Sequence, residues 1–191
     1  MNRSAKTALI FAATFLGALG GYFAVQKYFD RTPAAAELRD WQVQTLAGLT
    51  LEAPGTFAAQ PLNLGPAQEF VESSEMQVFK VAGFEIDVLR TAYKGGIELS
   101  FDGAVQGAVE GITRLDGIRN VQQTATELTV SGKPARRLSV TADRWRKTVR
   151  VEALLLADGQ TFYQVQTVFD AANPRGVANA ERVLKSVRLG P

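Results

Sequence analysis

Cysteine and histidine are both absent from the 191 residues. Without a thiol the chain forms no disulfide, offers no thiolate nucleophile, builds no cysteine zinc site and carries no lipoprotein cysteine. Without imidazole it lacks the commonest general base, the commonest metal ligand and the side chain that changes charge near neutral pH. Nucleophilic catalysis by a Ser-His or Cys-His pair is therefore excluded. Excess charge is also missing: 21 Lys and Arg stand against 19 Asp and Glu, a balance that gives no case for nucleic acid. Gly132-Lys133 lacks the upstream glycine and the following Ser or Thr of a phosphate loop, so it reads as a turn. No pattern calls for a cofactor. What the chain does have is apolar residues, 46% of the total, enough for one sizeable core with an extension.

The extension is amino-terminal. Thr7–Val25 contains 19 residues without a charge, which as a helix spans roughly 28 Å, close to the hydrocarbon thickness of a bilayer. Arg3 and Lys6 precede it, and Tyr22, Phe23, Tyr28 and Phe29 supply aromatic anchors for the interface. The basic residues favour a cytoplasmic amino end, residues 1–6, and export of everything after the helix. A cleaved signal peptide is the rival reading. Its cleavage sites would fall at Ala18–Gly20, inside the apolar run, or at Ala34–Ala36, well beyond it, so a retained anchor over residues 7–25 is preferred. Ala13, Gly17 and Gly21 recur at four-residue spacing and give the anchor a small-residue face suited to homodimer packing.

Residues 26–40 form a polar, alanine-rich linker, and residues 41–191 the exported domain. Trp41–Leu46 and Leu49–Ala53 flank Ala47-Gly48 and read as a hairpin. Gly55–Gln68, with its prolines, reads as irregular. Phe70–Val81 and Phe84–Tyr93 are strand candidates; the second alternates Phe84, Ile86 and Val88 with Glu85 and Asp87. Phe101, Val105, Ala108, Ile112 and Leu115 then form one apolar helical stripe, with Ser100 or Asp102 to cap it. Strands follow at Val121–Val130, Ala135–Ala142, Thr148–Leu156 and Thr161–Phe169, the last two joined at Asp158-Gly159. Asn173-Pro174 opens a final helix whose buried face is expected to carry Val177, Ala180, Leu184 and Val187. The fold class is α+β: an antiparallel β-sheet packed with two or more helices, behind one transmembrane helix.

Few residues carry candidate chemistry. Glu85 and Asp87 share a strand face at about 7 Å separation, within reach of some acid–base pairs, although alternating acids on a strand ordinarily mark a solvated face. Lys185-Ser186 is a poor dyad, because adjacent residues point to different sides of a helix. The sharpest local feature is Arg144-Trp145-Arg146-Lys147, with Arg150 beyond it, placed at a hairpin tip. Such a basic-aromatic cluster suits anionic lipid headgroups or an acidic partner, and equally serves as a soluble tip with its tryptophan over the sheet edge. Gly103, Gly107 and Gly111 flank the first helix's apolar stripe; each costs about 1 kcal/mol against alanine, which a close backbone contact would offset. Residues 69–116 hold nine acids and four bases, and residues 117–191 twelve bases and six acids, a dipolar arrangement if the halves occupy different regions.

Four features give a family resemblance: Gly48-Leu49-Thr50-Leu51-Glu52-Ala53-Pro54, Val130-Ser131-Gly132-Lys133-Pro134-Ala135, Asp158-Gly159 ahead of a strand with Tyr163, and the closing Leu184-Lys185-Ser186-Val187. Over residues 41–189 the chain resembles PsbP-like domains of the Mog/PsbP/DcrB type, antiparallel sheets with helices packed on them. The resemblance implies an accessory or binding module and carries over no catalytic residue. The expectation is a non-catalytic, single-pass protein of the bacterial inner membrane with a periplasmic domain that binds another envelope protein. A small-ligand or lipid-binding module is the alternative, and a carboxylate-dependent hydrolase a third.

Overall fold

The computed structural model describes residues 38–190 other than 82, 145 and 146. The segment read as an anchor, with Ala13, Gly17 and Gly21, lies outside the described residues. Among the described residues no helix is long and apolar enough to cross a membrane.

Strands β1 (Trp41–Leu46) and β2 (Leu49–Pro54) form the expected hairpin. Ala47 and Gly48 both take positive φ, 51° and 82°, as a two-residue turn requires to match the strand twist. After a two-residue strand β3 (Ala58–Ala59) and a 3₁₀ turn at Gly65–Glu69, β4 (Val71–Val81) and β5 (Phe84–Tyr93) pair antiparallel. Gly55–Gln68 is thus less irregular than its prolines suggest. Helix α1 (Phe101–Thr113) starts at Ser100, whose side chain accepts from the Gly103 N–H at 3.1 Å. Next come β6 (Ile118–Val130), β7 (Lys133–Arg144), β8 (Lys147–Asp158) and β9 (Thr161–Asp170). Asp158 pairs with Thr161, so the connecting loop is Gly159-Gln160, one residue later than the expected Asp158-Gly159. Helix α2 (Pro174–Ser186) begins at Asn173, whose side chain accepts from Arg175 N–H at 3.1 Å, and β10 (Arg188–Leu189) ends the chain's described part.

Seven strands make one antiparallel sheet in the order β3-β4-β5-β9-β8-β7-β6, and β1-β2-β10 make a second. The large sheet is covered on both faces. On one side lies α1, packing Val105, Ala108 and Ile112 over Leu138, Val140, Val151, Ala153 and Leu155. On the other, the small sheet and α2 pack Leu49, Leu51, Ala180, Val183 and Leu184 over Ile86, Val88, Leu154, Val165 and Phe169. Gly107 and Gly111 are buried in α1, so two of the three helical glycines belong to intradomain packing.

Two expectations need correction. Val177 was expected to be buried on α2, but it is 37% exposed, and Gly176, Ala180, Val183 and Leu184 form the buried stripe. The cause is Phe169: a Cβ at Gly176 would come within 2.6 Å of that ring, so the helix start approaches β9 at a position without a side chain. The acidic face of β5 was also expected to meet water. Glu85 is 4% exposed and Asp87 2%, because the large sheet is buried on both faces at this central strand.

Candidate functional site

The buried acids of β5 belong to a polar row crossing three strands. Register places Lys80 of β4 opposite Glu85, and Gln166 of β9 opposite Asp87. Lys80 Nζ donates to Glu85. Gln164 Nε2 donates to Gln166 Oε1 at 2.8 Å, and Gln166 Nε2 donates to Asp87 Oδ2 at 2.6 Å. Asp87 Oδ1 and Gln164 Oε1 are buried without a hydrogen-bond partner. Burial raises the Asp87 carboxyl well above the ordinary carboxylate range, and the neighbouring Glu85 raises it further, against the pull of Gln166 and Lys80. A carboxyl so placed holds its proton, because a lone charge in low dielectric is costly. The Glu85/Asp87 pair thus sits inside the sheet, with Lys80 and Gln166 as partners.

On the opposite face Glu152 of β8 organises a second cluster. Its carboxylate accepts from Ser139 Oγ at 2.8 Å, from Arg150 Nε at 2.7 Å and from Arg137 Nη2 at 3.2 Å. Arg137 also donates to Glu181 of α2 at 2.5 Å. Lys185, then Arg137, hold the Glu181 carboxyl below its ordinary range. Glu152 is 3% exposed, and two guanidiniums and a hydroxyl satisfy it, which is the condition for burying a carboxylate without large loss. Through Glu181 the cluster also fixes α2 to the sheet. Sequence reasoning missed Glu152 and Glu181 altogether. The signal was the alternation itself, Arg137/Ser139 on β7 and Arg150/Glu152 on β8, which register brings face to face.

The basic hairpin is where the sequence places it. Arg144 pairs with Lys147 at the end of the β7–β8 ladder; Trp145 and Arg146 lie outside the described residues. Arg150, grouped with them by sequence, is a core-facing partner of Glu152. The Lys185-Ser186 pair is structural on its serine side: Ser186 Oγ accepts from Glu52 N–H at 2.7 Å and donates to the Val183 carbonyl at 2.7 Å.

Three open clefts surround the β6–β7 turn. One of about 500 Å³ lies beside Phe101, Pro134 and Arg136, another of about 630 Å³ beside Ile97, Leu99, Lys133 and Asp158, and a third of about 340 Å³ beside Leu128, Leu184 and Arg188. Part of their charged lining is already paired, Lys133 to Asp158 at 2.7 Å and Arg136 to Asp102 and Glu127. Among the described residues no group of three or more acidic side chains is arranged to hold a metal ion.

An antiparallel sheet with a helix on one face, and a helix plus a small sheet on the other, defines the α+β class. Within that class the chain has a PsbP-like fold. It superposes on the cyanobacterial PsbP, CyanoP, of Synechocystis sp. PCC 6803 with a TM-score of 0.58 at 9% identity, covering 83% of this chain and 98% of that one. LpqN of Mycobacterium tuberculosis, a protein involved in cell envelope biogenesis, gives a TM-score of 0.48 at 16% identity over 75% of this chain and 83% of its own. No family model matches the sequence, and no curated protein matches it significantly.

Proposed function

We propose that this chain is a single-pass protein of the bacterial inner membrane whose PsbP-like domain faces the periplasm and binds another envelope protein without catalysis. The observation that carries the binding role is the engagement of the core acids. Glu85 and Asp87 are held by Lys80 and Gln166, and Glu152 by Arg137, Ser139 and Arg150. All three are buried, so the side chains that a carboxylate-dependent hydrolase would need are built into the sheet. The uncharged Thr7–Val25 supports the anchor, and the following domain supports a role on its far side.

The partner contact is assigned to the β7–β8 tip, Arg144, Trp145, Arg146 and Lys147, where basic and aromatic side chains suit an acidic surface. Arg150 is left out because it is one of the groups that bind the buried Glu152 carboxylate. The test is proximity labelling from the full-length protein in its own membrane, compared with the Arg144→Glu/Arg146→Glu variant. Loss of one labelled envelope protein, with the thermal midpoint unchanged, supports the assignment. An unchanged labelling pattern overturns it.

A further inference from the structure

The two edges of the large sheet are built differently. At one, β4 is shielded by the two-residue β3, in a segment bounded by Pro54 and Pro61. At the other, β6 runs for 13 residues and, among the described residues, pairs only with β7. A short edge strand, proline and lysine are the usual devices that stop a sheet from growing. Strand β6 contains neither proline nor lysine. Its one irregularity falls near the start, where register shifts between Arg119 and Gln122 and Asn120 takes φ 51°. From Gln122 to Val130 the ladder to β7 is regular, and Gln122 to Thr129 are all exposed. Every second residue of that stretch therefore directs a backbone N–H and C=O away from β7.

We infer that this edge pairs with β6 of a second copy of the chain, antiparallel about a two-fold axis normal to the sheet, so that two seven-stranded sheets become one. Charge selects the occupant. The stretch 122–130 carries one charged side chain, Glu127, and Arg136 of the same molecule already binds it at 2.7 Å. A two-fold normal to the sheet pairs residues of like parity, because side chains opposite one another must share a face. Centred on Ala125, it sets Gln123 against Glu127, Thr124 against Thr126 and Gln122 against Leu128. No like charges meet, the amide of Gln123 can donate to Glu127, and threonine faces threonine, a favourable cross-strand pair. Leu128, 37% exposed, gains the stem of Gln122 as cover. The antiparallel sense also continues that of every pairing within the sheet.

The missing cysteines make the test direct. Ala125→Cys introduces the only thiol of the chain, and directly opposed residues of paired strands bring their Cβ atoms to about 4.5–5.5 Å, from which a small inward shift of the strands reaches the roughly 3.5–4.5 Å of a disulfide. In native membranes under mild oxidation, the full-length A125C protein is expected to run at twice the 20.7 kDa chain mass. Arg175→Cys, exposed at the start of α2, is expected to stay monomeric. Thr124→Lys/Thr126→Lys in the A125C background sets lysine against lysine and should abolish the covalent dimer while leaving the circular dichroism unchanged. A monomeric A125C, a dimer that survives the lysines, or a crosslink to a different protein each overturns the proposal. Because the bond reports position 125, dimerisation through the amino-terminal segment cannot imitate the result.

Discussion

Asp87 lies almost wholly out of water beside Glu85, with one carboxyl oxygen bound to Gln166 and the other without a partner. Its raised pKa has a consequence for folding. The unfolded chain loses this proton near pH 4, whereas the folded protein keeps it to higher pH. Between those two values the folded state binds more protons than the unfolded state, so stability falls as pH rises. The contribution is fully present below the unfolded pKa and is gone above the folded one. Each unit of upward displacement corresponds to about 1.4 kcal/mol. Asp87→Asn removes the titration and keeps an oxygen for Gln166. Urea unfolding across pH 4 to 8 should show the variant gaining on the parent as pH rises, and parallel profiles would refute the assignment. The sequence displayed Glu85 and Asp87 plainly, yet their alternation with apolar residues has the same form for a solvated face and for a buried one. What buries them is the cover on both sides of a central strand, and strand order is a property of distant pairings that local alternation does not encode.

Elements were more legible than their environments. The two helices and the long strands follow from period and turn residues, since Ser100 and Asn173 cap as their positions predict and Ala47-Gly48 and Ser131-Gly132 adopt the left-handed angles of two-residue turns. On the buried side of α2, Ala180, Leu184 and Val187 lie as expected, and only the first position was read one residue late, at Val177 instead of Gly176. Valine at 177 has the greater hydrophobicity, but the close approach to Phe169 requires the glycine at 176, and a contact defined by the absence of a side chain leaves no hydrophobic signal. Gly176→Ala tests this at the level of the element. Helix propensity alone favours alanine by about 1 kcal/mol. The clash with a fully buried ring opposes it, and overpacking of that kind costs about 1–3 kcal/mol. The variant should therefore unfold at a lower temperature than the parent, and an increase in midpoint would show that the helix can shift away from β9. The Glu152 cluster was illegible for a related reason: two of its donors, Arg137 and Ser139, sit on β7, and Arg137 in turn donates to Glu181 on α2, so only register assembles them.

For the whole molecule, sheet order sets the strands of the two charge populations apart, while α1, from the acid-rich stretch, packs across β7 and β8 of the base-rich one. The acid-rich residues 69–116 supply β4 and β5, while the base-rich residues 117–191 supply β9, β8, β7 and β6. Arg136 of β7 and Asp102 of α1 join the two. Membrane attachment through residues 7–25 predicts that the full-length protein remains in the pellet after alkaline carbonate extraction, and that replacing Leu16 and Leu19 with arginine releases it. Extraction of the unaltered chain by carbonate would sink the anchor.

The chain enters the domain at β1, an outer strand of the small sheet, and β2 lies between β1 and β10. Strand β2 is gripped from several directions: β10 pairs with it, Ser186 Oγ accepts from Glu52 N–H, and Arg182 binds the Glu52 carboxylate at 2.7 Å. Among the described residues strand β1 has β2 alone along its backbone, with Arg182 stacked on the Trp41 ring at 4.3 Å. A pull on residue 38 would therefore open the hairpin from its free end, one pair at a time starting at Trp41 and Pro54, and stop at β2. Once peeled, the six residues of β1 join the connection, and the chain leaves the domain at the Ala47-Gly48 turn instead of at Trp41. A load applied at residue 38 would thus be taken up by β1 first, with the large sheet left folded.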